Sequence, residues 1–456
     1  MKYILTPNTQ TSDYFDCINK PKDLVNRAIE IGLKGIAITD HECISSAVIL
    51  NKYQKEISEK YPDFKIALGN EIYLTDTRDK SQKYWHFILI AKDAIGFKQL
   101  RMLSSRAWMQ SYYDRGMERV PTLKSELEEI VTTAPGHLIA TSACIGGELS
   151  GSVLAMEKAR QINDLNEATI AYNRIVAFIS LMKKLFNDDF YIECAPGASK
   201  DQIIVNKKLV EIAHVYNIKM VIGSDAHYLK KEDRYVHKAY LNSKGGEREV
   251  DDFYEYAYLQ TEEDIIKNLT PSIVDSYKQM CENSMEIYDK IEIYSILHNQ
   301  VIPSVEVKDY PKEEARKELK AAYPVLADMK NSDNIYERYW VNECFNSLKE
   351  KNLFSSTYLS RLEEEADIKK TISEKLGTNM FSYPITLQHY VDMFWECGSL
   401  VGAGRGSSCS GLNHYLLGIT QLDPIEWNLP FWRYLNKERV ELGCLILILP
   451  SCKKRV

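Results

Sequence analysis

The chain has 456 residues, 45% of them apolar and 27% charged, with a formal net charge of −7. That length exceeds what one core usually fills, so two or three domains are expected. The acidic balance excludes a globally basic nucleic-acid binder, and any DNA contact has to come from a local basic surface.

The N-terminal stretch MKYILTPNTQTSDY lacks the apolar core of a signal peptide. From residue 20 to about 230, helical periodicity alternates with short apolar runs. Strands are predicted at GIAITDHE (35–42), IALGNEIYL (66–74), HFILIAKD (86–93), HLIATSAC (137–144), DFYIECA (189–195) and KMVIGSDAHYL (219–229). Helices are predicted between them, among them DLVNRAIEIGL (23–33), AVILNKYQKEISEKY (47–61), NEATIAYNRIVAFISLMKKLF (166–186) and IIVNKKLVEIAHVYN (203–217). Strand–helix units in this order predict parallel strands covered by helices, as an open sheet or a barrel. Several strands end in a group able to bind metal, namely Asp40 and His41, Glu71, Cys144, and Asp225 with His227, while His86 opens another. In a βα barrel the chemistry gathers where strands finish.

Beyond residue 240 the texture changes to long charged helices, at 262–269, 276–294, 334–353 and 358–377. A boundary is placed near NSKGGEREVDDF (242–253), and QVIPSVEVKDYP (300–311) reads as an extended connector. The run VGAGRGSSCSGLNHYLLGIT (401–420) then gathers glycine and serine around one arginine. Gly404 and Gly406 let backbone approach a ligand, Arg405 offers a fork to phosphate oxygens, and Ser407 and Ser408 add hydroxyl donors. The loop leads into a predicted helix, CSGLNHYLLGI, whose N-terminal amides would add to an anion site. At the end of the chain CLILIL (444–449) is far too short to cross a bilayer. The ten cysteines form no C-x-x-C pair, which argues against a zinc ribbon or a disulfide framework and for a reducing, cytoplasmic setting.

The segment 400–443, with G-R-G-S-S, Y-L-L-G-I-T, L-D-P and R-Y-L-N-x-E-R in that order, closely resembles the start of the palm in bacterial C-family replicative DNA polymerases, the polymerase III alpha subunit. AITDHE, GNEIYL, HFILIAKD, LIATSAC and IGSDAHYL resemble the polymerase-and-histidinol-phosphatase (PHP) domain that precedes that palm. The resemblance implies an α/β chain: a PHP-type βα barrel at 1–245, a helical connector at 246–380 and a partial α+β palm at 381–456. It implies DNA primer-template and deoxynucleoside triphosphates as partners, replisome subunits as further ones, and Mg2+ for nucleotidyl transfer. It assigns Gly404, Arg405, Gly406, Ser407 and Ser408 to the triphosphate, and Arg433, Lys437 and Arg439 to nucleic-acid phosphates. Asp40, His41, Glu71, His86, Cys144, Asp225 and His227 are assigned to a Zn2+ or Mn2+ site.

Two departures qualify this. A PHP domain begins with His-x-His, whereas TPNTQTSD (6–13) offers Asn8 and Gln10, neutral amides that replace imidazole poorly at such a centre. The family's Asp-x-Asp strand, which holds the two catalytic ions, is matched here by LILIL (445–449), and none of those side chains is a hard-cation ligand. Leu-Ile-Leu-Ile is what an Asp-x-Asp coding run gives when read one base later, so a frame slip is expected. No catalytic residue is assigned, and the chain is expected to be a truncated, inactive polymerase portion with a degraded exonuclease centre. A stand-alone PHP phosphoesterase and a non-catalytic module binding nucleotide or a partner are the alternatives.

Overall fold

The computed structural model describes residues 4–8, 17–80, 82–114, 117–243, 252–298 and 301–438. The chain forms two compact units, Met1–Leu297 and His298–Val456.

The first unit is built on one sheet ordered β1 (Ile4–Asn8), β2 (Gly35–His41), β3 (Lys65–Thr75), β4 (Trp85–Ala91), β8 (Leu138–Thr141), β9 (Phe190–Cys194) and β10 (Met220–Ile222). A short hairpin, β5 (Tyr112–Asp114) with β6 (Met117–Arg119), stands apart, and β7 (Thr122–Leu123) pairs with the end of β3. All seven residues of β2 are buried, as expected of a strand covered on both faces. The covering helices are α1 (Pro21–Glu30), α2 (Ala47–Ser58), α3 (Ala94–Met109), α4 (Lys124–Thr133), α5 (Glu148–Gln161), α6 (Leu165–Phe186), α7 (Lys200–Tyr216), α8 (Arg234–Asn242), α9 (Glu262–Asn268) and α10 (Tyr277–Lys290). Their starts follow local chemistry. Pro21 opens α1, and the Asp93 carboxylate caps α3 by accepting from Ile95 N and Gly96 N. Helix α6 buries a stripe of Ala171, Ile175, Phe178, Ile179, Met182 and Leu185. Phe178 meets Phe87 of β4 and Phe190 of β9 edge to face at 6.0 Å. Each such ring, fully buried, contributes about 1.5–3 kcal/mol.

The sheet is not wholly parallel. β1–β2–β3 and β8–β9–β10 are parallel, but β4 runs against both β3 and β8. The cause lies in the connection, residues 76–84, which is shorter than the dozen or so residues a parallel crossover needs. β4 therefore folds back beside β3 as a hairpin partner.

The sequence reading placed a boundary at 245/246, and the compact unit continues to Leu297. Helix α10 buries Met280, Cys281 and Ile287, and Lys65 Nζ donates to the carbonyls of Tyr288 and Ile291.

The second unit comprises α11 (Lys317–Ala322), α12 (Pro324–Lys330), α13 (Ile335–Glu350), α14 (Ser356–Leu376), α15 (Ser382–Glu396) and α16 (Leu412–Leu416). Its core gathers Leu326, Trp340, Cys344, Leu348, Leu362, Phe381, Ile385 and Leu412, with Trp340 and Phe381 edge to face at 5.3 Å. Residues 301–316 carry neither helix nor strand, and Val305 and Val307 pack against that core. This unit has no strand among the described residues; the 444–449 segment, where the palm strand is expected, lies outside them.

Candidate functional site

In the first unit the strand register assembles a cluster. β2 and β3 pair His41 with Glu71, and the reversed β4 sets His86 opposite Tyr73. Because β4 runs backwards, its first residues reach the rim where β2 and β3 finish. His86 Nδ1 lies 2.6 Å and His41 Nδ1 3.8 Å from Glu71 Oε1, and the two imidazoles are 5.2 Å apart, edge to face. His41, Glu71 and His86 each offer a ligand atom within 4.8 Å of the others, an arrangement able to hold one metal ion. Cys144 Sγ is 3.7 Å from His86 Nδ1. Asp225 has φ 39°, and His227 Nδ1 donates to its carbonyl at 2.8 Å. Asp40 Oδ2 accepts from Ser46 N at 2.9 Å and from Ser45 Oγ at 3.4 Å, bracing the entry to α2.

Two acids escaped the sequence reading. Glu193, on β9, accepts from Thr141 Oγ1 at 2.7 Å. Gly223 makes room for it, since a Cβ there would sit 1.9 Å from Glu193 Oε1. An acid set within the apolar run FYIECA (190–195) was the available signal. Glu42, with φ 56°, accepts from Val120 N, and burial pushes its carboxyl up to about 7.

The electrostatics of the cluster are unbalanced. Burial alone would push the Glu71 carboxyl up, but the pull of His41 and His86 holds it below the usual range. Asp225 and Glu193 go the other way, raised by burial and by the neighbouring negative charge of Glu71. Burial, with Asp225 and Glu71, likewise lifts the Cys144 thiol. Asp225 Oδ1 and Glu193 Oε1 are buried without a hydrogen-bond partner among the described residues. Buried acceptors of this kind suit a cation. The residues present fit one ion. Asn8 ends β1 opposite Ile38, and Gln10 lies outside the described residues.

The loop of the second unit is built differently from expectation. Residues 404–407 are exposed, and a 3₁₀ turn, Gly406–Ser410, precedes the five-residue α16. Gly404 has φ 119°, and a Cβ there would press on Cys409 Sγ at 2.9 Å and Thr420 Cγ2 at 3.0 Å, so the position needs glycine twice over. The amides of α16 expected to face an outside anion are already taken. Glu365, on α14 and fully buried, accepts from Leu412 N at 2.6 Å, Asn413 N at 2.9 Å and Asn413 Nδ2 at 2.6 Å. Burial pushes its carboxyl up, against the bonds from Asn413 and the charge of Arg361. Arg361 donates to Glu365 Oε1, Ser410 O and Leu429 O at 3.1, 2.7 and 2.8 Å. Ser408 Oγ is likewise engaged, donating to the Arg405 carbonyl at 2.7 Å. Lys437 pairs with Asp367, Arg433 lies in the 3₁₀ turn Phe431–Arg433, and Arg439 lies outside the described residues.

Two family models match: PHP domain over residues 9–196, and Bacterial DNA polymerase III alpha NTPase domain over 328–443. The probable DNA polymerase YorL of Bacillus subtilis (strain 168) is 37% identical over 450 residues, covering 94% of this chain and 34% of the relative. A DNA-directed DNA polymerase of Bacillus phage SPbeta matches with the same identity and coverage. The DNA polymerase III subunit alpha of Borreliella burgdorferi is 28% identical over 442 residues, again covering 94% and 34%. The chain thus spans about a third of the length of these curated relatives. No helix among the described residues is long and apolar enough to cross a membrane. Residues 9–196, which carry the strand-rim cluster, thus match the PHP domain, and residues 328–443, which carry the G-R-G-S-S loop, match the NTPase domain of bacterial DNA polymerase III alpha.

Proposed function

We propose that this chain supplies the amino-terminal portion of a template-directed DNA polymerase, in which the 404–408 loop grips the triphosphate of an incoming deoxynucleotide. The observation that carries the reading is a rigidly founded but exposed loop: Glu365 and Arg361 fix its base from below, while Arg405 and Ser407 stay at the surface. Arg405 supplies a planar, permanently charged fork for phosphate oxygens, and the Ser407 hydroxyl adds a neutral donor. Mg2+ would neutralise the triphosphate and align it for transfer. The chain's own share is binding rather than turnover, because residues 444–449 contain no carboxylate to hold the two ions. The PHP unit acts mainly as a scaffold, with His41, Glu71 and His86 able to hold one ion of the Zn2+ or Mn2+ kind.

The test is magnesium-dependent binding of a fluorescent deoxynucleoside triphosphate. Arg405→Ala removes one charge-assisted contact, roughly 1.5–3 kcal/mol, and should weaken affinity about ten- to a hundredfold. Equal affinity of the two proteins would take the loop out of the site.

A further inference from the structure

We infer that Glu365, buried on α14, is the positioning residue of the triphosphate loop. The inference rests on the reading that this loop binds nucleotide, and it assigns the loop's geometry to a side chain far from it in sequence. A carboxylate with no exposed surface is expensive to bury unless its oxygens are filled, and here three N–H groups of Leu412 and Asn413 and the Arg361 guanidinium fill them. From that anchor a relay of hydrogen bonds runs outward. His414, next in the chain, donates from Nδ1 to the Ser408 carbonyl at 2.8 Å. Ser408 Oγ donates to the Arg405 carbonyl at 2.7 Å. Arg361 holds the same turn from the other side through Ser410 O. The backbone that aims Arg405 is therefore set by successive contacts traceable to one buried carboxylate.

Glu365→Gln keeps the size of the side chain but faces the Asn413 amides with a donor. If Glu365 acts through the loop, its effect and that of Arg405 cannot be independent. The experiment measures Mg2+-dependent affinity for a fluorescent deoxyadenosine triphosphate in the wild-type chain, Glu365→Gln, Arg405→Ala and the double variant, together with amide hydrogen exchange. Glu365→Gln alone should weaken binding about tenfold, whereas adding it to Arg405→Ala should cost no more than about twofold. Exchange should rise across 404–414 while Val341 and Leu348 of α13 stay protected. Independent factors that multiply in the double variant would overturn the inference, as would unchanged exchange across 404–414. Loss of protection throughout α13 would also overturn it, making Glu365 a stability residue only. A wild-type chain that binds no nucleotide would refute the proposed function instead, and the exchange pattern would still decide whether Glu365 orders the loop.

Discussion

Lys369 is fully buried on α14, and its Nζ has no hydrogen-bond partner among the described residues. Burial pushes its pKa down to about 8, against the pull of the Glu365 and Cys344 charges. At pH 7 the ammonium is protonated in both folded and unfolded chains, so the fold carries the full penalty, about 3 kcal/mol for a drop from 10.5 to about 8. Lys369→Met removes the buried charge at similar volume but also removes a cation near Glu365, which leaves a net gain of about 1–3 kcal/mol. For a unit of this size that is roughly 2–12 °C in Tm. The sign with pH is definite. Between pH 8 and 10.5 the unfolded chain holds a proton that the folded chain releases, so wild-type stability rises relative to the variant by up to about 1.4 kcal/mol per pH unit. Equilibrium urea unfolding of both proteins at pH 7, 8, 9 and 10 reads the difference directly. A variant less stable than wild type by about 1 kcal/mol at pH 7 would refute the reasoning. So would a gap that fails to narrow as pH rises.

Burial, then the Lys369 charge, lowers the pKa of His414 to about 3. An unfolded imidazole takes its proton near pH 6.5 while the folded one resists, so stability present above pH 6.5 should fall by up to roughly 1.4 kcal/mol per unit toward pH 3. His414→Gln should flatten that slope, and parallel curves for the two proteins would contradict it. In the first unit, metal analysis after equilibration with Zn2+ or Mn2+ should find at most one ion per chain, readily stripped by a chelator and lost in Glu71→Gln. Two or more tightly held ions would mean that further ligands complete the centre.

Much of this was legible in the sequence, because the strands that carry His41, Glu71 and Glu193 are short apolar runs bounded by helices of ordinary period. The reversal of β4 was also there to read. His86 opens its strand, so a parallel β4 would have left it at the opposite rim from His41, and the short 76–84 connection forbids that arrangement. What the sequence hid is the interior of α14. RLEEEADIKK reads as a solvated charged face, yet Glu365 and Lys369 are fully buried. Local periodicity cannot expose such a residue, since its partners, Leu412 and Asn413, lie far along the chain. The same gap explains the misplaced anion seat: a helix start looks vacant until the carboxylate that fills it is located in space.

Arg361, Glu365 and Lys369 recur in steps of four along α14 and share one side of it. Their usefulness therefore depends on rotational phase as well as identity. Each residue inserted or deleted between Ser356 and Arg361 would turn all three by about 100° at once. Such a lesion, distant in sequence from the G-R-G-S-S turn, would damage that turn as surely as altering it, whereas an extra residue in the 76–84 connection only lengthens a loop. Tolerance to insertions and deletions should accordingly be lowest in a helix that carries no ligand contact of its own.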